Sequence, residues 1–123
     1  MPCLFGSDEK IQTMVAHAMM VSRHTQTWSG SDPYVLAGDF NVLPDTAPYV
    51  ALRDGGLDPS HPQAPRVDVS NAPCDWSEST IASFANPMRS AYVDALGTES
   101  PFTNYAWPRG APEPFRGTLD YIW

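Results

Sequence analysis

A chain of 123 residues, 42% of them hydrophobic, is long enough for one domain with a real core and too apolar to be disordered. Its formal net charge of −7 excludes a protein that grips nucleic acid chiefly by covering phosphates with lysine and arginine. A polyanion can still enter an acidic site where a divalent metal supplies the positive charge.

No apolar run approaches the roughly 20 residues needed to cross a bilayer. The opening Met1-Pro2-Cys3-Leu4-Phe5-Gly6 lacks the basic and sustained apolar regions of a signal peptide. An intracellular place, cytoplasm or nucleus, with no membrane partner, is therefore expected. Nothing demands a disulfide between Cys3 and Cys74, though one can form; the plainer reading is two free thiols, with neither the spacing nor the company of a zinc site.

Residues 8–28 read as one amphipathic helix. Ser7 is its N-cap, Asp8 and Glu9 sit where the helix dipole favours them, and Ile11, Met14, Val15, Ala18 and Met19 share a core-facing stripe. Ser29 to Pro33 break it. Tyr34 to Gly38 is a short apolar run bounded by turn residues and reads as a buried strand. Ala47 to Arg53 suits a two-turn helix stopped by Asp54-Gly55-Gly56. Residues 57–87, rich in Pro, Ser, Asp and Asn, read as a long surface loop, an insertion in an otherwise compact domain. Met88 to Leu96 predicts a short helix closed by Gly97, Phe102 to Trp107 an extended segment, and Gly117 to Trp123 a strand.

Two short stretches carry the chemistry. In Gly38-Asp39-Phe40-Asn41, glycine permits a tight turn at the carboxyl edge of a strand, where open α/β sheets place ligands. Asp39 there can orient a water or assist a metal, and the Asn41 amide can grip a phosphate oxygen. The same letters also make an ordinary turn. In Leu119-Asp120-Tyr121-Ile122, an aspartate between apolar neighbours on a buried strand needs a partner, and a histidine ring N–H is the usual one. On an edge strand Asp120 would simply face solvent.

Gly38-Asp39-Phe40-Asn41, Ser90-Ala91-Tyr92, Phe102-Thr103-Asn104-Tyr105 and the run Phe115 to Trp123, in that order, resemble the endonuclease/exonuclease/phosphatase superfamily. The wording is most similar to its CCR4-type deadenylase branch, with nocturnin and Angel, and Lys10-Ile11-Gln12 matches as well. The resemblance implies an α/β fold, part of an α/β/β/α sandwich, and hydrolysis of a phosphodiester with Mg²⁺ or Mn²⁺. The implied substrate is the 3′ end of RNA, poly(A) above all. It also implies roles: Asp39 positions the attacking water and touches the metal through it, Asn41 holds the scissile phosphate, Asp120 pairs with a catalytic histidine, and Phe115 stacks on a substrate base. A core role for Phe115 stays open. Asn104 is expected to support the pocket, and Arg109 and Arg116 to be surface residues that can touch phosphate.

The departures set a second expectation. The family's metal-holding asparagine and glutamate have no counterpart here, and its catalytic histidine follows a segment beyond Trp123. His17, His24 and His61 stand in no matching motif. Residues 1–123 are thus expected to form the C-terminal portion of such a domain, inactive alone. Another phosphodiesterase or phosphatase of the superfamily (inositol phosphate, sphingolipid, dinucleotide or DNA repair) and a catalytically dead scaffold are the alternatives.

Overall fold

The structure, a computed structural model, describes residues 7–66 and 77–123. The expectations for Met1 to Gly6, both cysteines and residues 67–76 lie outside the described residues. Helix α1 spans Asp8–Ser29, with Ser7 as N-cap: its carbonyl accepts the N–H of Lys10 at 3.0 Å and of Ile11 at 3.2 Å. Met14, Val15, Ala18 and Met19 are buried along the expected stripe, and Ile11 packs against its edge. Helix α2, Ala47–Asp54, starts with a proline in its first turn and ends on Gly55, and it packs against α1.

Among the described residues, four strands of three residues form two antiparallel pairs: β1 (Ala37–Asp39) with β4 (Asp120–Ile122), and β2 (Asn104–Ala106) with β3 (Phe115–Gly117). Together with the helices they make a partial α/β fold. The expected strand at Gly117 to Trp123 is therefore divided, one stretch of chain serving two sheets with the turn at Thr118-Leu119 between them. The strand expected at Tyr34 to Gly38 is shorter, shifted toward Asp39 and not buried on both faces. One face, carrying Phe40, Leu119, Tyr121 and Trp123, is in the core. The other is open, with Val35 73% and Ile122 42% exposed. Small, apolar Ala37 and Gly38 hide that alternation in the sequence.

Residues 57–87 are more than a surface loop. Helix α3, Glu78–Ala82, starts at Ser77, whose hydroxyl accepts the N–H of Thr80, and Leu57, Ala64 and Ile81 are buried in the main core. The N–H of Leu57 bonds to the Ile81 carbonyl at 3.0 Å, and the Gly55 carbonyl accepts from Phe84. This crossing explains Gly56, where a Cβ would overlap the carbonyl oxygen of Ala82. Its apolar anchors are too irregularly spaced to betray it in the sequence. Helix α4, Ala91–Leu96, is closed by Gly97 as expected.

Aromatic rings fill the space under the β1–β4 ladder. Tyr121 and Trp123 stack at 5.3 Å, Tyr49 of α2 lies 5.6 Å from Tyr121, and Phe40 meets Tyr121 edge-on at 6.1 Å. Burial holds the phenols of Tyr49 and Tyr121 well above their ordinary value of 10.0, aided by a hydrogen bond from Tyr49 to Glu99 at 2.7 Å and by the Glu99 charge at Tyr121. In the unfolded chain both phenols ionise at their ordinary value, while the folded state keeps both protons. The unfolded state then binds fewer protons, so these groups' contribution is complete below about pH 10 and declines as the pH rises above it. Urea midpoints measured across that range are expected to fall, and to fall less steeply in Tyr49→Phe.

Candidate active site at the β1–β4 edge

Strand register brings the two candidate aspartates together: Asp39 lies directly opposite Asp120. The ladder is fixed by Leu36 and Trp123, which exchange both backbone bonds at 2.9 Å, and by the bond from Phe40 N–H to the Leu119 carbonyl at 2.8 Å. Counting alternate pairs between these makes Asp39 and Asp120 a non-hydrogen-bonded pair, the type whose Cα atoms approach to about 4.5 Å with side chains on one face. That face is the open one. Asp39 is exposed and Asp120 half-buried.

Like charges directly opposite one another cost stability in a ladder. The same arrangement makes a strong local attraction for a cation or for a protonated base. Carboxylate oxygens beside an amide oxygen are hard donors that suit Mg²⁺ or Mn²⁺ and not a thiolate-seeking metal. Among the described residues, no group of three or more His, Cys, Asp or Glu is placed to hold a metal ion.

The turn after β1 carries Asn41. Gly38, at φ +149°, takes a backbone shape that side chains disfavour and bends the strand. Asp39 Oδ1 then accepts the N–H of Asn41 at 2.8 Å, and Asn41 sits at φ 53°, a left-handed conformation that asparagine tolerates better than most residues. So these letters do form a turn, closed by the Asp39 side chain. Tyr121, one residue past Asp120, clamps the far side. Its buried hydroxyl is shared between the carbonyls of Val42 at 2.9 Å and Thr118 at 3.2 Å.

Thr103, next to Asn104, supports this corner. Its hydroxyl accepts the N–H of both Leu119 and Asp120, at 2.9 and 3.0 Å, and so ties the start of β4 to the end of the β2–β3 hairpin. The Thr118 hydroxyl donates to the Ser100 carbonyl and pins the same corner. Neither Thr103 nor Tyr121 was singled out by residue chemistry. The only signal was their place inside the Phe-Thr-Asn-Tyr and Asp-Tyr-Ile stretches.

Phe115 opens β3 half-buried. Its ring edge and Leu43 stand 2.8 and 2.9 Å from where a Cβ of Gly117 would lie, so it borders the turn that carries Asn41 and is not sealed in the core. Two histidines lie on α1 and one in the segment after α2. His17 Nδ1 is buried on α1 without a hydrogen-bond partner, the His24 ring stacks on Trp28, and His61 Nδ1 accepts the N–H of Gln63. No helix among the described residues is long and apolar enough to cross a membrane.

Comparison with known proteins places these features in context. Residues 21–123 match the family described as "Endonuclease/Exonuclease/phosphatase family". The chain is similar to the CCR4-NOT transcription complex subunit 6-like-B of Xenopus laevis, 31% identical over 101 residues, covering 76% of this chain and 17% of that protein. It is 34% identical over 93 residues to the CCR4-Not complex 3'-5'-exoribonuclease subunit Ccr4 of Aspergillus fumigatus, covering 74% of this chain and 11% of that one. The like-named protein of Phaeosphaeria nodorum is 32% identical over 96 residues. The chain thus spans under a fifth of the length of these curated relatives.

Proposed function

Because the chain belongs to the endonuclease/exonuclease/phosphatase family, we propose that it serves a metal-dependent phosphodiesterase that removes nucleotides from the 3′ end of RNA, poly(A) being the preferred substrate. The observation that carries this reading is the pairing of Asp39 with Asp120 across one ladder step, beside a turn that presents Asn41. The names of the curated relatives supply the substrate class.

On this reading, Asp39 orients the attacking water and Asn41 donates its amide to a non-bridging oxygen of the scissile phosphate. Asp120 accepts a ring N–H from a histidine, holds its tautomer and steadies the imidazolium that forms as a proton is transferred. Phe115, bordering the Asn41 turn, offers a ring face to the terminal base. Mg²⁺ or Mn²⁺, when bound near Asp39, supplies the positive charge for the phosphate that an acidic chain does not. The histidine and the remaining metal-holding groups are proposed to come from other parts of the catalytic domain, of which residues 1–123 are the C-terminal portion. The work of such an enzyme is intracellular, in cytoplasm or nucleus.

The test is shortening of a 5′-labelled oligoadenylate, with Mg²⁺ or with EDTA, by the complete reading frame that encodes these residues and by residues 1–123 alone. Shortening is expected from the former with Mg²⁺ only, and none from the latter. An inert complete protein would support a non-catalytic scaffold. Cutting by residues 1–123 alone would show that the chain's own groups complete the site and bring His17, His24 and His61 back into question.

A further inference from the structure

We propose that the outer face of the β2–β3 hairpin is a stacking platform for single-stranded RNA, lying alongside the Asp39–Asp120 pair and separate from the ring of Phe115. The inference rests on the reading above for its choice of RNA as occupant. Tyr105 lies directly opposite Arg116, so both side chains project from one face of the hairpin, while Phe115, opposite Ala106, belongs to the other. The Arg116 guanidinium lies over the Phe102 ring, 4.3 Å from its centroid, in a cation–π contact. Tyr105 is 61% exposed and Trp107, two residues on, 65%. Trp107 is fixed by its indole N–H, which donates to the Ala111 carbonyl at 3.1 Å.

Charge selects the occupant. Arg53 and Arg89 are neutralised by Asp54 and Asp94. The hairpin's Arg109 and Arg116 have no ion pair among the described residues, and Glu113 is the only acid between residues 102 and 117. A chain of net charge −7 therefore places unneutralised guanidinium groups beside exposed rings on this hairpin. Flat rings with arginine between them accept bases of any sequence on their π-faces and phosphates at the rim. A duplex, with its bases stacked internally, gains little from such a face.

The platform is tied to the strand that carries Asp120. Thr103 precedes Tyr105 by two positions, about 7 Å along an extended chain, and its hydroxyl receives the N–H of Asp120. A strand of RNA whose 3′ end lies at Asp39 and Asp120 would run its neighbouring bases over Tyr105 and Trp107. The platform thereby sets how many unpaired nucleotides the site engages.

The experiment is fluorescence anisotropy of fluorescein-labelled oligoadenylate, in EDTA to prevent cutting, with residues 1–123 and with variants of these exposed positions. Tyr105→Ala and Trp107→Ala are each expected to weaken binding roughly 5- to 100-fold. Arg116→Ala should reduce the slope of log affinity against log salt by about 0.7, and Arg116→Lys should restore the slope but not the full affinity. Arg23→Ala on α1 should change nothing, and circular dichroism should confirm that all variants fold alike. A wild-type chain that fails to bind single-stranded RNA, or that binds a duplex equally well, overturns the proposal. So does unchanged affinity in Tyr105→Ala and Trp107→Ala, which would assign the face to a protein partner. Cleavage assays on the complete reading frame, run in parallel, separate the two readings: binding lost in the variants of residues 1–123 without any Mg²⁺-dependent cleavage by the complete protein sinks the nuclease and leaves the platform standing.

Discussion

Tyr121→Ala is expected to destabilise the chain by about 3–5 kcal/mol, the range for deleting a large buried ring. Total stabilities of domains this size are only about 5–15 kcal/mol, so much of the population would unfold at modest urea. The reason is its position. Tyr121 is among the most deeply buried side chains, stacked on Trp123 and touching Tyr49 and Phe40. Tyr121→Phe separates packing from hydrogen bonding. It keeps the ring but leaves the carbonyls of Val42 and Thr118 without their shared donor, a loss of about 1–3 kcal/mol. Urea titrations of both variants, followed by tryptophan fluorescence, measure the two parts. Because the Val42 carbonyl ends the turn that presents Asn41, Tyr121→Phe is also expected to raise KM for RNA in the complete protein more than its loss of stability accounts for.

Asp39→Ala and Asp120→Asn are expected to reduce cleavage by on the order of 10²–10⁴ in kcat with little change in KM, since Asp39 orients the attacking water and Asp120 the histidine, and neither grips the bound RNA. Their stabilities should part company. Asp120→Asn removes one of two like charges facing each other across the ladder and is expected to raise the urea midpoint slightly, by about 0.2–1 kcal/mol. Asp39→Ala also loses the acceptor for the Asn41 N–H and should gain nothing. A variant that is more stable and less active is what a functional pair of carboxylates predicts. If Asp120→Asn were less stable and fully active, Asp120 would be a structural residue.

The helices and the two motifs were legible from the chain, but their meeting was not. α1 and α2 announce themselves by caps, stops and an apolar stripe, which are local properties. Asp39 and Asp120 stand 81 positions apart in sequence, and nothing local says that they share a ladder step. Strand register depends on which face is buried, and Ala37 and Gly38 are too small to reveal it. The same limit hid the buried anchors Leu57, Ala64 and Ile81, which bind by single crossings and not by a repeat. Thr103 and Tyr121 escaped notice because their work is to hold backbone groups of distant segments, a role that any hydroxyl can fill and no spacing encodes.

The open face beside Asp39 has a practical consequence for anyone handling the chain. Val35, Ala37 and Ile122 line one side of a ladder only two strands wide, whose outer edges carry no further strand among the described residues. Unpaired edges next to exposed apolar side chains are templates on which another copy can add a strand. Self-association should therefore grow with concentration, and it would cover the carboxylates as it proceeds. RNA bound per molecule in a concentrated sample would then fall below that in a dilute one for a reason unrelated to the binding face.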